Sequence, residues 1–519
     1  MPVKPLRRTL RRLSVAGLAV LTAIVPVSAQ QPQATTPAAA QAATGPTLTL
    51  TMDQAVQMAL DTSLGLKSER INVDIASQSI IGAKAAFLPA LSGSLSRNNA
   101  ESQPVLNPDG TRSVPTSNQI NGSTTVGQQL SFLGAQYSAT WSSNRRATGG
   151  GGGSFNPSLG STVNLQFSAP LWRDLKIDTQ RAGVDRAQRQ RLITDLGLQQ
   201  RVVATEAAVR QAYLQLKAAL EGMKVASLNQ DLAETSLRNA RARVAVGQSP
   251  ELDIITNEAQ VAANRANVID ATAQIAAAED NLRILIFDQG RPDYWLVTLF
   301  PADEISVTEK QVDVDAAIKN ALANRLDMVT LRKNMEISDL NIKLAENNTR
   351  PQVDAFVNYL ASGTGGKQTS ADGTITTIGY GSVLGDSFGG AYPSWTYGLQ
   401  VVYPLGRNAA LVQQAQNELT KQQQQLNMRD LELQIVGDVR QAARDISTSY
   451  QRYMSRKTAR EALEKQLNAE DRKFAVGLSN TFDVQLRQRD LANERVNELN
   501  AIIRYNQALI EFERVQKIR

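Results

Sequence analysis

Two rhythms of apolar and polar residues alternate along this chain. One has period two. In Val163-Asn164-Leu165-Gln166-Phe167-Ser168 apolar and polar side chains alternate strictly, as a strand between two different environments requires. Trp395-Thr396-Tyr397-Gly398-Leu399-Gln400-Val401 repeats this with aromatics, and further strands are expected at 91–97, 124–132, 136–144 and 353–359. The loops between them are rich in Gly, Ser and Asn, with five consecutive glycines at 149–153.

The other rhythm is helical. Between Pro170 and Pro292 the only proline is Pro250, and none follows Leu405. Residues 173–246 would form a helix about 110 Å long, and residues 406–476 one of about 105 Å, at ~1.5 Å per residue. Such lengths exceed a globular domain and suit a coiled coil or a tunnel wall. After Phe482, the residues Ala492, Val496, Leu499, Ile503, Asn506 and Ile510 step by 4, 3, 4, 3, 4, which is heptad spacing. Alanines at 204, 207, 208, 212, 218 and 219 allow close neighbours on more than one side.

Both rhythms occur twice. Val246-Gly247-Gln248-Ser249 and Val476-Gly477-Leu478-Ser479 lie 230 residues apart, and Asp253 and Asp483 keep that offset. So do Val209-Arg210-Gln211-Ala212 and Val439-Arg440-Gln441-Ala442. Upstream, Phe87-Leu88-Pro89 pairs loosely with Thr349-Arg350-Pro351, and Ala169-Pro170-Leu171 with Tyr403-Pro404-Leu405. The first half, 47–310, holds a helix, strands over 91–168, a long helix 173–246, a turn 247–250 and a return helix 251–287. The second, 311–519, holds a helix 313–348, strands over 353–403, a long helix 406–476, a turn 477–480 and a return helix 481–516. In each turn glycine can end a helix in a left-handed cap. Ser249 or Ser479 can serve the free N–H groups of the next helix, and Pro250 suits its first turn. Asp253 and Asp483 sit where a helix dipole favours negative charge, which is by itself a sufficient reason for both.

Composition narrows the function. There is no Cys and no His, which removes thiolate chemistry, imidazole acid–base work and the commonest metal ligands. No catalytic residue, metal ligand or cofactor is therefore proposed, and an enzyme is not expected. Lys4, Arg7, Arg8, Arg11 and Arg12 precede an apolar stretch at 13–27 and the small residues of Val27-Ser28-Ala29, the pattern of a cleavable signal peptide over 1–29. Residues 30–46 read as a flexible low-complexity lead-in. Removing five basic residues with the signal takes the net charge from +6 to +1, so no nucleic-acid partner is expected. No other apolar run could span a bilayer as a helix, and a membrane-embedded part would have to be a β-barrel. A soluble β-sandwich shows the same alternation. The few, widely separated strands and the aromatics Trp141, Trp172, Trp395, Tyr397 and Tyr403 near their ends favour the barrel. The expected fold is a mixed α and β membrane protein: a barrel continued by a long α-helical barrel of coiled-coil pairs, with an internal duplication.

The duplicated plan and the two Val-Gly-x-Ser-x-x-x-Asp turns resemble the TolC-like outer-membrane efflux proteins, from about Thr51 to Val515 and best over 474–484. The resemblance implies a homotrimer in the outer membrane of a Gram-negative bacterium, in contact with outer-membrane lipid. About four strands per subunit would form its barrel, with 124–144 as an extended surface hairpin, although extra barrel strands are the other reading. It implies a passive exit duct of a tripartite efflux or type I secretion system. Partners would be a periplasmic adaptor (membrane fusion protein) and an inner-membrane pump of RND, ABC or MFS type. Val246, Gly247, Ser249, Val476, Gly477 and Ser479 would form the adaptor-docking tip. Asp253, Asp483 and Phe474 would form the periplasmic constriction. Leu486 stands where some members carry a second aspartate, and Phe474 has no hydroxyl for a gate hydrogen bond. A surface-anchored structural coiled-coil protein would also explain the long helices, but not the duplication.

Overall fold

The computed structural model describes residues 46–516 except 107–109, 150–154, 289, 291–293, 305–306, 371–372, 404 and 407. The expected signal peptide (1–29), and the lead-in up to its last residue, lie outside the described residues. The first half comprises β1 (Thr47–Leu50), α1 (Met52–Thr62), α2 (Leu64–Ala85), β2 (Ala90–Glu101), β3 (Thr116–Gln129), β4 (Gln136–Gly149), β5 (Ser158–Pro170), α3 (Thr179–Ala245), α4 (Glu251–Ile286) and β6 (Thr298–Pro301). The second comprises α5 (Val314–Asn324), α6 (Leu326–Asn348), β7 (Gln352–Thr369), β8 (Ile375–Ile378), α7 (Tyr380–Gly389), β9 (Pro393–Val402), α8 (Ala409–Ala475) and α9 (Thr481–Gln516).

Both long helices, α3 and α8, have 67 residues, and both return helices have 36. The long ones start later than 173 and 406 because side chains cap them. Asp178 accepts from the Arg181 amide at 2.7 Å, and Asn408 from those of Ala410 and Leu411. Residues 313–348 are two helices and not one. Arg325 between them is extended (φ −60, ψ 132), and its guanidinium is held by Asp327 and Asp438 at 3.0 Å each.

The seam by which α9 joins α8 also differs from the heptad read off the sequence. Tyr505, Phe512 and Val515 pack on Ile435, Val439, Ala442 and Ile446, and nearer the turn Val484 and Leu491 pack on Leu467. All of these α9 positions but Val515 lie one residue before the 492–510 series and its extension. Of that series, Ile510 faces Ala207 and Leu214 of α3, and Val496 is exposed. A helix within a wall touches neighbours on two sides, so it carries two apolar stripes.

A waist joins α1, β1 and β6 to the long helices. Val209, Tyr213 and Leu216 of α3 pack with Leu50, Ala59, Leu282, Ile286 and Leu299. The Tyr213 hydroxyl donates to the Asp303 carboxylate (2.9 Å), with the Leu50 carbonyl oxygen also in reach at 3.1 Å. Burial first, and the Asp303 charge with it, push this phenol up to about 12, so it remains a donor. Glu279 and Arg283, nearly buried, pair at 2.8 Å. Glu279 also accepts from the Leu299 amide (3.0 Å), while Arg283 donates to the Val297 carbonyl (2.8 Å).

The main sheet is antiparallel in the order β2–β3–β4–β5–β7–β9, with β8 beside the far end of β7. Six strands therefore run side by side, more than the four expected per subunit. Residues 116–129 and 136–149 are paired on both flanks as inner strands of this sheet and do not stand apart from it as a surface hairpin. The β5–β7 ladder, from Ser158↔Gly366 to Pro170↔Asp354, welds the two halves. Leu91, Val126, Ala139, Leu165, Tyr359 and Trp395 form one cross-sheet row, and the next is Ser92, Thr125, Thr140, Asn164, Leu360 and Ser394. Along these two rows one face is apolar and the other polar, Leu360 excepted. Farther along the apolar face, Leu95 is followed in its row by Gly122, Ser143, Ser161 and Gly363, which are small or polar.

Within the span expected as strands (353–403) lies the helix α7. Val383 is fully buried over Gly363 and Gly365, where any Cβ would collide with it, and Ser387 meets Ser161 at 2.8 Å. Trp141 is therefore not an end-of-strand girdle residue. It sits mid-strand beneath α7, donates to Ser161 at 3.0 Å and faces Phe388. Trp395 and Tyr397 remain exposed on the apolar face. Among the described residues no helix is long and apolar enough to cross a membrane.

The waist pair yields a test. Arg283→Met strands the Glu279 charge and should destabilise the waist by about 3 kcal/mol. Pairing it with Glu279→Met should recover most of that loss. Hydrogen exchange at the 298–301 amides reads both outcomes.

Candidate functional site: the paired helical tips

Each long helix ends at Val-Gly because the backbone there turns left-handed. Gly247 has φ +75 and Gly477 φ +78. Gly247 N–H donates to Val244 O (2.9 Å) and Gln248 N–H to Arg243 O (2.8 Å). In the second half Gly477 N–H donates to Phe474 O (3.2 Å) and Leu478 N–H to Lys473 O (2.9 Å). This pair of bonds serves carbonyls that a helix end otherwise leaves orphaned. A Cβ at either glycine would meet nothing within 4 Å, so the dihedral and not space demands glycine.

The return helices begin differently from one another. Pro250 is itself the residue before the first turn of α4 and makes no side-chain cap. Asn480 accepts from the Asp483 amide through its side-chain oxygen and donates to the Asp483 carboxylate through its side-chain nitrogen, both at 2.9 Å, a side-chain cap of the helix start. Ser479 does not reach the α9 N-terminus. It donates back to Glu470 on α8, and that bond above all holds the Glu470 carboxyl below its ordinary range. Asp253 and Asp483 match in sequence but not in space. Asp483 is bound to its own helix start, while Asp253 accepts from Thr481 of the other hairpin at 3.3 Å.

That contact opens a seam between the hairpins. Gln485 donates to Asn257 (2.8 Å), which is buried and itself donates to the Asp253 carbonyl (2.7 Å), and Gln488 reaches Ser236 at 3.4 Å. The Arg243 guanidinium lies 3.9 Å from the centroid of the Phe474 ring, a cation–π contact of roughly 1 kcal/mol. Phe474 also leans on the Leu467, Val484 and Leu491 cluster. A groove of about 350 Å³ runs between the hairpins, lined among others by Asn239, Arg243, Asp471 and Phe474. Burial, then the neighbouring Glu470, push the Asp471 carboxyl up.

Around the groove the tip is apolar and bare. Val246, Leu252, Ile255, Val476, Leu478 and Phe482 are each between 62 and 79 % exposed. Arg243, Asn257, Thr481 and Gln485 did not stand out in the sequence. Asp253 to Thr481 and Asn257 to Gln485 are both 228 residues apart, two short of the repeat offset, which is the available signal for facing helices. Arg243 had none, because the repeat aligns Phe474 with Val244 instead. Among the described residues no group of three or more acidic side chains is placed to hold a metal ion.

A family model described as Outer membrane efflux protein matches residues 132–286 and 317–515. Several solved channels share the fold. CusC aligns with a TM-score of 0.66 at 13 % identity, covering 90 % of this chain and 91 % of that one. The CmeC outer membrane channel of Campylobacter jejuni gives 0.63 at 14 %, covering 90 % and 85 %. The open state of the MtrE outer membrane channel of Neisseria gonorrhoeae gives 0.60 at 15 %, covering 90 % and 88 %. No curated protein matches.

The tip geometry makes two predictions. Gly247→Ala or Gly477→Ala should weaken its turn by about 1 kcal/mol, seen as roughly fivefold faster hydrogen exchange at Gln248 or Leu478. Glu470 has a lowered pKa in the folded chain. Its bond to Ser479 is therefore present above the ordinary carboxylate range and is lost as pH falls through the lowered value. Protection of the Leu478 amide should follow that acid titration, and in Ser479→Ala the Glu470 titration should move up toward its ordinary value.

Proposed function

The chain belongs to the outer membrane efflux protein family, and we propose that three copies close into one duct whose periplasmic end is the ring of paired tips. It is an outer membrane efflux channel and not an enzyme. The observation that carries the trimeric reading is the state of the two outermost helices. Val412, Leu419, Leu426 and Leu433 on α8 repeat every seven residues and are all exposed, and so are Leu64, Ile71, Ile75 and Ile81 on α2. Neighbours run α2, α3, α6, α8, so these stripes flank the helical strip on opposite sides. Each fits the other on the next copy, antiparallel, as a heptad seam.

At the tips, the bare apolar residues around Gly247 and Gly477 suit the helical hairpin of a periplasmic adaptor, with Val246, Ser249, Val476 and Ser479 on the docking surface. Such an adaptor links the duct to an inner-membrane pump of RND, ABC or MFS type. Three copies of Asp253 and Asp483 bring six carboxylates toward the axis, which favours cations. In each subunit the Arg243–Phe474 contact and the Thr481–Asp253 bond hold the two hairpins together. The tip opens when these yield.

Detergent-extracted protein should size as a trimer and conduct in planar bilayers. A monomer, or no conductance, refutes the duct. Leu426→Asp should shift the population toward monomer. Asp253→Asn with Asp483→Asn should raise the half-blocking concentration of a trivalent cation severalfold from the periplasmic side. Unchanged block would leave both aspartates as helix-start residues only.

A further inference from the structure

The first half carries more strand than the second. The prolines that bracket its strands, Pro89 and Pro170, are 81 residues apart, against 53 between Pro351 and Pro404. The excess is the length of two strands of 14 residues, and β3 and β4 have 14 each. The family match agrees. It runs from 317 through β7, β8 and β9 of the second half but begins only at 132 in the first, in the turn between β3 and β4.

We propose that this chain builds an eighteen-stranded barrel, six strands from each of three copies, sealed by β2 of one copy against β9 of the next. The inference rests on the trimeric reading above. Three observations carry it.

The added strands obey the sidedness of the rest. Val126 and Ala139 lie in the apolar row, Thr125 and Thr140 in the polar one, and each pair is in unbroken register with β2 and β5. Their turn is also seated on the helices below. Gln128 donates to the Phe87 carbonyl just past α2 (2.8 Å), and Gly134 (φ +69) abuts Asp174, Asp178 and Arg181 at the start of α3. The hairpin is a wedge fixed between α2 and α3.

The perimeter fits as well. The helices α2, α3, α6 and α8 continue into β2, β5, β7 and β9. Four helices packed at 8–10 Å span about 32–40 Å of wall. Six strands ~4.8 Å apart and tilted ~40° span about 37 Å, whereas four span about 25 Å. Six strands match the helical wall beneath them.

Finally, β2 and β9 each pair on one flank only, and nearly all their residues are exposed. A bare edge does not persist in hydrocarbon. The two strands run in opposite senses, carry Leu91 and Leu95 or Trp395, Tyr397 and Leu399 on one face, and Ser92, Ser94 and Ser96 or Ser394, Thr396 and Gln400 on the other. They lie directly above the α2 and α8 stripes. The closed barrel is about 36 Å across, against about 24 Å for twelve strands. The bore then continues to the cell surface without a narrow collar.

The absence of cysteine makes the test direct. Ser94→Cys on β2 is combined in turn with Ser394→Cys, Thr396→Cys and Gln400→Cys on β9, which covers the register. Ser142→Cys on β4 is combined with the same three. The inference expects an oxidised ladder up to trimer from at least one Ser94 pair. It expects none from Ser142, three strand spacings or about 14 Å from the junction. Ladders from Ser142 alone would place β2 and β3 outside the wall and overturn it. A single-particle map of the cysteine-free trimer decides the count independently. Eighteen strands support the inference, and twelve refute it while leaving the trimer intact. A monomer refutes the reading on which it rests.

Discussion

A strand edge cannot face lipid. Each backbone amide or carbonyl left without a partner in hydrocarbon costs several kcal/mol, and this subunit presents two whole edges, β2 and β9. Most of the architecture follows from that one constraint. It accords with an apolar row such as Leu91 to Trp395 beside a polar one, since a closed wall in a membrane has lipid on one side and water on the other. It continues below the sheet, where the outermost helices α2 and α8 keep apolar stripes that their own subunit never covers. The subunit is a panel with two unpaired strand edges and two uncovered helix stripes, which the proposed ring of copies would close.

Within a panel, the two halves are joined along their length, and the kind of interaction changes with height. In the sheet it is the β5–β7 hydrogen-bond ladder. Just below, Asn347 of the second half binds Asp174 of the first at 2.8 Å, while burial pushes that carboxyl up. At the tip the joints are weaker: single polar bonds such as Thr481 to Asp253, and an arginine over a phenylalanine ring. Stability therefore falls from membrane to tip, and motion in a duct of this design is cheapest at the far end.

Much of this was legible in the sequence because it depends on local rules. Glycine at the end of each long helical run marks its left-handed stop, and the row Val163 to Phe167 declares its sidedness by alternation alone. What escaped depends on residues distant in the chain. Residues 116–123, Thr-Ser-Asn-Gln-Ile-Asn-Gly-Ser, are too polar to announce a strand, and only their hydrogen-bonded neighbours make them one. The helix α7 hides among small residues, since the surface that receives it is a pair of glycines on β7. The α9 seam lies beside the heptad visible in the sequence because a wall helix has two apolar stripes, and the sequence does not say which partner each serves. Arg243 is ordinary until Phe474, on another helix, lies beneath it.

The equal helix lengths carry a further consequence. Both long helices have 67 residues and both return helices 36, although the halves share little sequence beyond a few motifs. Each tip is held level with the other by side chains, so a change of length in one half alone would put the two tips out of level and break the joints between them. The tunnel can be lengthened or shortened only in matched steps, by whole heptads inserted or deleted twice. A gene built this way acts as a pair of synchronised rulers, and the distance from membrane to tip is a quantity that single insertions or deletions cannot readily alter.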